Sequence, residues 1–132
     1  MRVLQDKKVH IMHPSFHALT DLIIPEGVSD YFTLVDFTKK DQRIDIYLEE
    51  LNEVPQEYVN DNLLSKGFYP SITLQDFPMR GHDVYLHIKR RRWLHSGTGK
   101  TVHRDWSLVA KGTRITEDFA AFLKAISRYQ GS

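Results

Sequence analysis

Apolar side chains recur at helical spacing at Phe16, Leu19, Leu22 and Ile23, behind a Ser15 that suits a helix N-cap. Pro25-Glu26-Gly27 stops that helix, and a helical turn is expected over Val28–Tyr31. The period then changes to two. Phe32, Leu34 and Phe37 lead into the polar turn Lys39-Lys40-Asp41-Gln42, after which Ile44, Ile46 and Leu48 alternate with Arg43, Asp45, Tyr47 and Glu49. This alternation predicts a β-hairpin with one buried face. Residues 52–66 are polar, contain Pro55 and show no stripe, so they read as a loop with one helical turn.

A second β region is expected from Gly67. Ile72 and Leu74 alternate with Thr73 and Gln75, and Asp76–Gly81 reads as a turn punctuated by Pro78 and Gly81. Val84, Leu86 and Ile88 then point to one face, and Tyr85, His87, Lys89, Arg91 and Trp93 to the other. His95–Lys100 reads as a further turn, and Thr101–Leu108 as a strand with Val102 and Trp106 on one face. Thr113 or Thr116 caps a last helix, whose stripe is Ile115, Phe119, Phe122, Leu123 and Ile126. The expected architecture is α+β. Antiparallel hairpins form a β meander, with an N-terminal helix and with a C-terminal helix packed on the sheet. Residues 1–14 are expected as a flexible N-terminal arm, and 15–132 as a single α+β domain.

Charge is distributed unevenly over this pattern. Residues 80–114 carry nine basic residues (Arg80, Lys89, Arg90, Arg91, Arg92, Lys100, Arg104, Lys111, Arg114) against Asp83 and Asp105, a net +7. Residues 1–79 hold seven basic and thirteen acidic residues, a net −6, so the formal total of +1 conceals the asymmetry. A basic stripe on a folded module is the electrostatic footprint of a polyanion binder. An antiparallel ribbon is narrow enough for a DNA major groove. The expected contacts are Arg80, Lys89, Arg90, Arg91, Arg92, Lys100, Arg104, Lys111 and Arg114, with Tyr85, His87 and His103 beside them and Trp93 stacking or supporting. The competing reading is a solvated basic strand paired with the chain's own acidic half.

Other chemistry is thinly represented. There is no cysteine, hence no disulfide framework and no thiolate zinc site. His87, His95 and His103 could share a metal, but contacts to phosphates or to each other are the simpler reading, and no metal or other cofactor is expected. His13 and His17 straddle Pro14 and read as surface. Gly97-Thr98-Gly99-Lys100-Thr101 is not a phosphate loop, because Leu94 stands where the first glycine belongs. The acids of residues 36–61 read as a solvated face, and no nucleophile–base arrangement is legible, so the chain is not expected to be an enzyme. The longest apolar runs fall short of a bilayer span of about 20 residues. With no signal-peptide pattern, a cytoplasmic location is the default.

Two stretches carry a family resemblance. "LQDFPMRGHDVYLHIKRRRW" and "AKGTRITEDFAAFL", within the longer run from "IIPEGVSDYF" to "ISRY", resemble the N-terminal region of bacterial insertion-sequence transposases of the ISL-three family, ISAon-one subgroup. The resemblance covers about residues 19–129. It implies a module that binds double-stranded DNA at terminal inverted repeats, with strand cleavage left to a separately encoded catalytic transposase subunit; a homodimer is compatible with it. Members of the broader family usually bear zinc-finger cysteines around the basic strand. Here Leu94-His95 follows Trp93 and cysteine is absent, so the segment is expected as a degenerate, metal-free finger held by Trp93, Trp106 and Val102. The alternative function is a protein-interaction module whose acidic half docks a basic partner, and a small metal-dependent nuclease is the third.

Overall fold

The structure is a computed structural model and describes residues 14–112 and 116–129. Residues 1–13 of the arm expected at 1–14 lie outside them, as do Thr113, Arg114 and Ile115, and Pro14 belongs to a helix instead. The order is α1 (Pro14–Ile23), a 3-10 turn (Val28–Asp30), β1 (Phe32–Lys40), β2 (Arg43–Glu50), a 3-10 turn (Gln56–Tyr58), β3 (Leu63–Phe68), β4 (Ile72–Met79), β5 (His82–Lys89), β6 (Arg91–His95), β7 (Lys100–Val102), α2 (Trp106–Gly112) and α3 (Glu117–Ser127). The fold is α+β. One sheet has four strands in the order β1-β2-β5-β4, and the other has three in the order β3-β6-β7.

Two tight hairpins build the larger sheet. The β4–β5 connection shrinks to Arg80-Gly81, with φ of 49° and 77°. Two consecutive left-handed residues match the right-handed twist of the flanking strands, which is why a glycine is needed there. The expected turn over 76–81 is thus mostly strand. The two hairpins meet through β2 and β5, which run parallel, so the sheet is mixed rather than a plain meander. Ile46, Leu48, Val84, Leu86, Ile88 and Ile72 form the buried face that the alternation predicts.

Helix α3 covers this face with Phe119, Phe122, Leu123 and Ile126, all buried. Thr116, one of the two expected caps, closes its start, its Oγ1 accepting from the Phe119 N–H at 3.1 Å, and Glu117 and Asp118 occupy the first turn. Phe32 stacks on Trp106 at 5.3 Å and meets Phe122 edge-on at 5.7 Å. Gly27 has φ 98°, and a Cβ there would sit 2.8 Å from Phe119 Cδ2, so the 3-10 turn approaches α3 where only glycine fits.

Three further expectations fail. Helix α1 begins at Pro14, ahead of Ser15, and it buries Thr20, with Ile24 buried just past its end, while Leu19 and Leu22 are exposed. Residues 63–66, read as loop, open strand β3. The strand expected over 101–108 stops at Val102, because Asp105 starts a helix instead. Its Oδ1 accepts from the Ser107 N–H at 3.0 Å and the Ser107 hydroxyl at 2.6 Å. Trp106 therefore enters the main core from α2, away from Trp93 and Val102, which pair across β6 and β7.

Candidate nucleic-acid interface

The basic run does not form one continuous cationic face, because the chain changes sheets in the middle of it. Strand β5 ends at Lys89, and β6 begins at Arg91 in the other sheet. Arg90 is the pivot. It is 7% exposed, its Nη1 donates to the Tyr129 carbonyl at 2.9 Å, and its guanidinium lies over the Tyr69 ring at 5.3 Å. Burial pulls this guanidinium below its usual range. The parity argument that put Arg91 and Trp93 on the face of His87 and Lys89 holds only within one unbroken strand, and it breaks at this pivot.

Glu50 closes the junction. It is 1% exposed at the end of β2. Its Oε1 accepts the Arg91 backbone N–H at 2.8 Å, and its Oε2 accepts Arg104 Nε at 2.9 Å. Arg91 reaches back, with Nη2 donating to the Glu50 carbonyl at 3.1 Å and Nη1 to Ser65 Oγ at 2.6 Å. Arg104 Nη2 donates to the Glu53 carbonyl at 2.8 Å, and its guanidinium lies beside the rings of Tyr31 and Trp106. Glu50 and Arg91 thus tie the end of β2 to β6, and Arg104 holds the second oxygen of the same buried carboxylate. The expectation that Arg90, Arg104 and Trp93 reach a polynucleotide is corrected: at 7%, 7% and 2% exposure they are interior groups. Arg91 is half-buried and spends its fork on its own chain.

Tyr85, His87 and Lys89 do lie on the open face of the larger sheet, but they are engaged there. His87 Nε2 is 2.6 Å from Asp45 Oδ1, and its Nδ1 is 3.0 Å from Thr73 Oγ1. Tyr47 stacks on its ring at 4.7 Å. Arg43 sits 3.9 Å over Tyr85 while holding Asp45 through its Nε and Nη2. The Arg43 hydrogen bond, then that of His87, keeps the Asp45 carboxyl below the usual carboxylate range. Lys89 Nζ lies 4.0 Å from Glu49. His103 Nδ1 donates to the Arg104 carbonyl at 3.0 Å, and His95 faces Asp61 and Thr98. The three histidines considered for a metal therefore go to three separate settings. No group of three metal-ligating side chains converges among the described residues.

Four expected contacts are exposed and have no described carboxylate within ion-pair distance: Arg80, Arg92, Lys100 and Lys111. They do not share one place. Arg80 occupies the hairpin tip before β5, and Lys111 the end of α2, while Arg92 and Lys100 belong to the three-stranded sheet. That sheet also presents Lys66, which the sequence hid because Leu63-Leu64-Ser65-Lys66 has neither a two- nor a 3.6-residue period. Its strands hold Lys66, Arg91, Arg92 and Lys100 and no acid. Leu94 lies opposite Leu64 and Thr101, so Leu64, Leu94 and Thr101 share one face of it. The β6–β7 turn, Ser96-Gly97-Thr98-Gly99, has only small, uncharged side chains.

No protein-family model, curated protein or solved structure matches the chain. No helix among the described residues is long and apolar enough to cross a membrane.

Proposed function

We propose that this chain is the DNA-binding N-terminal region of an insertion-sequence transposase, gripping duplex DNA with its three-stranded sheet. The observation that carries the reading is the composition of that sheet: four basic residues and no carboxylate in its strands, with Lys66, Arg92 and Lys100 exposed. A polyanion laid along the β6–β7 hairpin meets Arg92 on the face of Leu94 and Thr101, and Lys100 on the opposite face of edge strand β7. The β6–β7 hairpin is two strands wide, within the roughly 12 Å of a major groove, and its glycine-bearing tip lets backbone approach phosphates closely. Arg90, Arg91, Arg104 and Glu50 act behind this surface as the rigid joint that fixes its attitude to the larger sheet. The sequence resemblance supports the narrower assignment to a transposase that recognises terminal inverted repeats. Strand cleavage then belongs to a separately encoded catalytic subunit.

Fluorescence anisotropy across a salt series tests this. The titrations compare a duplex bearing the ends of the element that encodes the chain with a scrambled duplex. Each phosphate contact contributes about 0.9 to the slope of log K against log salt, so reversing Lys66, Arg92 and Lys100 to Glu should flatten the slope by roughly 2.7. Unchanged affinity in the triple variant would sink the interface. A specific binder should prefer the element ends by about a thousandfold or more. Equal affinity for both duplexes would remove the transposase assignment and leave a general polyanion binder.

A further inference from the structure

Strand β4 is an edge strand, and its alternation contains an anomaly. Ile72 lies opposite Ile88, Leu74 opposite Leu86 and Asp76 opposite Val84, so Asp76 stands on the face its neighbours fill with hydrocarbon. A groove of about 560 Å³ runs between β4 and α3, floored by Leu74, Phe77, Ala121 and Phe122. Asp76, Glu117 and Asp118 gather at one end of it, and Arg128 also lines it. Arg128 is ten residues beyond Asp118, about 15 Å further along the helix axis. Phe77 is 73% exposed. The acids at the start of α3 suit a helix N-terminus, but that does not account for Asp76. Burial holds the Asp76 carboxyl above the usual carboxylate range and the charge of Asp118 adds to this, while the Phe77 N–H pulls the other way. The described ion pairs include none of the three acids.

Independently of the DNA reading, we propose that this groove receives an extended segment of another protein, with an apolar side chain on Phe77 and a lysine or arginine set between Asp76 and Asp118. Among the described residues only β5 pairs with β4, so the strand's other edge can take a further strand up to Pro78, which has no N–H to offer. Charge decides the class of partner. The acids repel phosphates, whereas a cation entering between them relieves their mutual repulsion. The groove's acidic end is also set back from the basic sheet, since Val84 opposite Asp76 precedes Lys89, the last residue of β5, by five residues, about 17 Å of strand. One end of the molecule is thus suited to DNA and the other to a basic peptide.

Amide-resolved NMR of the full chain tests this with two short synthetic peptides, one alternating leucine with lysine and one alternating leucine with glutamate. The lysine peptide should shift the amides of residues 74–77 and 118–125, and the glutamate peptide should not. The double variant Asp76→Asn, Asp118→Asn should weaken the lysine peptide roughly tenfold, the worth of about one charge-assisted contact. Phe77→Ser, at an exposed position that leaves the core intact, should weaken it as well. The proposal is overturned by an equal response to both peptides, by shifts centred on Asp45 and Glu49 instead, or by no response at millimolar peptide. Concentration-dependent shifts of the same amides without peptide would make a second copy the occupant, and shifts there on adding duplex DNA would make it a nucleic-acid site; either result also overturns it.

Discussion

Glu50→Ala should be among the most damaging single substitutions in this chain. The change removes a carboxylate that is 1% exposed and leaves two donors behind it, the Arg91 N–H and Arg104 Nε. Arg104 is 7% exposed, so water cannot readily replace the lost partner. Breaking a buried ion pair from one side costs about 3–5 kcal/mol. For a chain of this length that is a fall in Tm of roughly 10–20 °C. Urea titration followed by the fluorescence of the buried Trp93 and Trp106 reads the loss directly. A double-mutant cycle with Glu50→Leu and Arg104→Met isolates the pair. Because the double variant leaves no buried charge unpartnered, it should be more stable than the sum of the singles implies by at least about 1 kcal/mol. Burial raises the Glu50 carboxyl against the opposing pull of Arg91 and Arg104. A raised folded value means the native state holds its proton more tightly. The stability contributed by this group is therefore full below the unfolded value of about 4.3 and declines as pH climbs through the folded one. The advantage of wild type over Glu50→Gln should shrink over that interval. A loss under about 1 kcal/mol for Glu50→Ala, or additive singles, would refute the account of the joint.

Asp45 titrates with the opposite sign. Its carboxyl is lowered by Arg43 and then His87, so the stability it contributes is present above about 3.9 and is lost as pH falls through the folded value. On a solvated face the effect should stay below about 1 kcal/mol, and the difference between wild type and Asp45→Asn in urea midpoint should vanish in acid; a difference that persists there would contradict it. Gly27→Ala puts a Cβ 2.8 Å from Phe119 at φ 98°, and a loss of about 2 kcal/mol or more in thermal unfolding is expected; a neutral result would mean that α3 moves aside at no cost.

The patterned parts of the chain were determined by the sequence. Strand β2 and strand β5 each alternate over seven residues or more, and α3 repeats apolar residues at three and four with a threonine cap; local spacing alone commits such segments to one face. The charge asymmetry was equally plain, because it is composition. What the sequence could not decide is where an arginine goes. Arg90 and Arg92 are the same residue type two positions apart, yet one is interior and the other exposed. The difference comes from the sheet change between Lys89 and Arg91 and from Glu50, forty-one residues before Arg91, arriving beneath the junction. Strand pairing across that separation is set by tertiary packing rather than by neighbours in the chain. So is the parallel union of β2 with β5 and the gathering of Lys66, Arg92 and Lys100 on one sheet. A local pattern tells a side chain which face of its own element it takes; only the assembled sheets decide whether that face meets water, another element or a buried carboxylate.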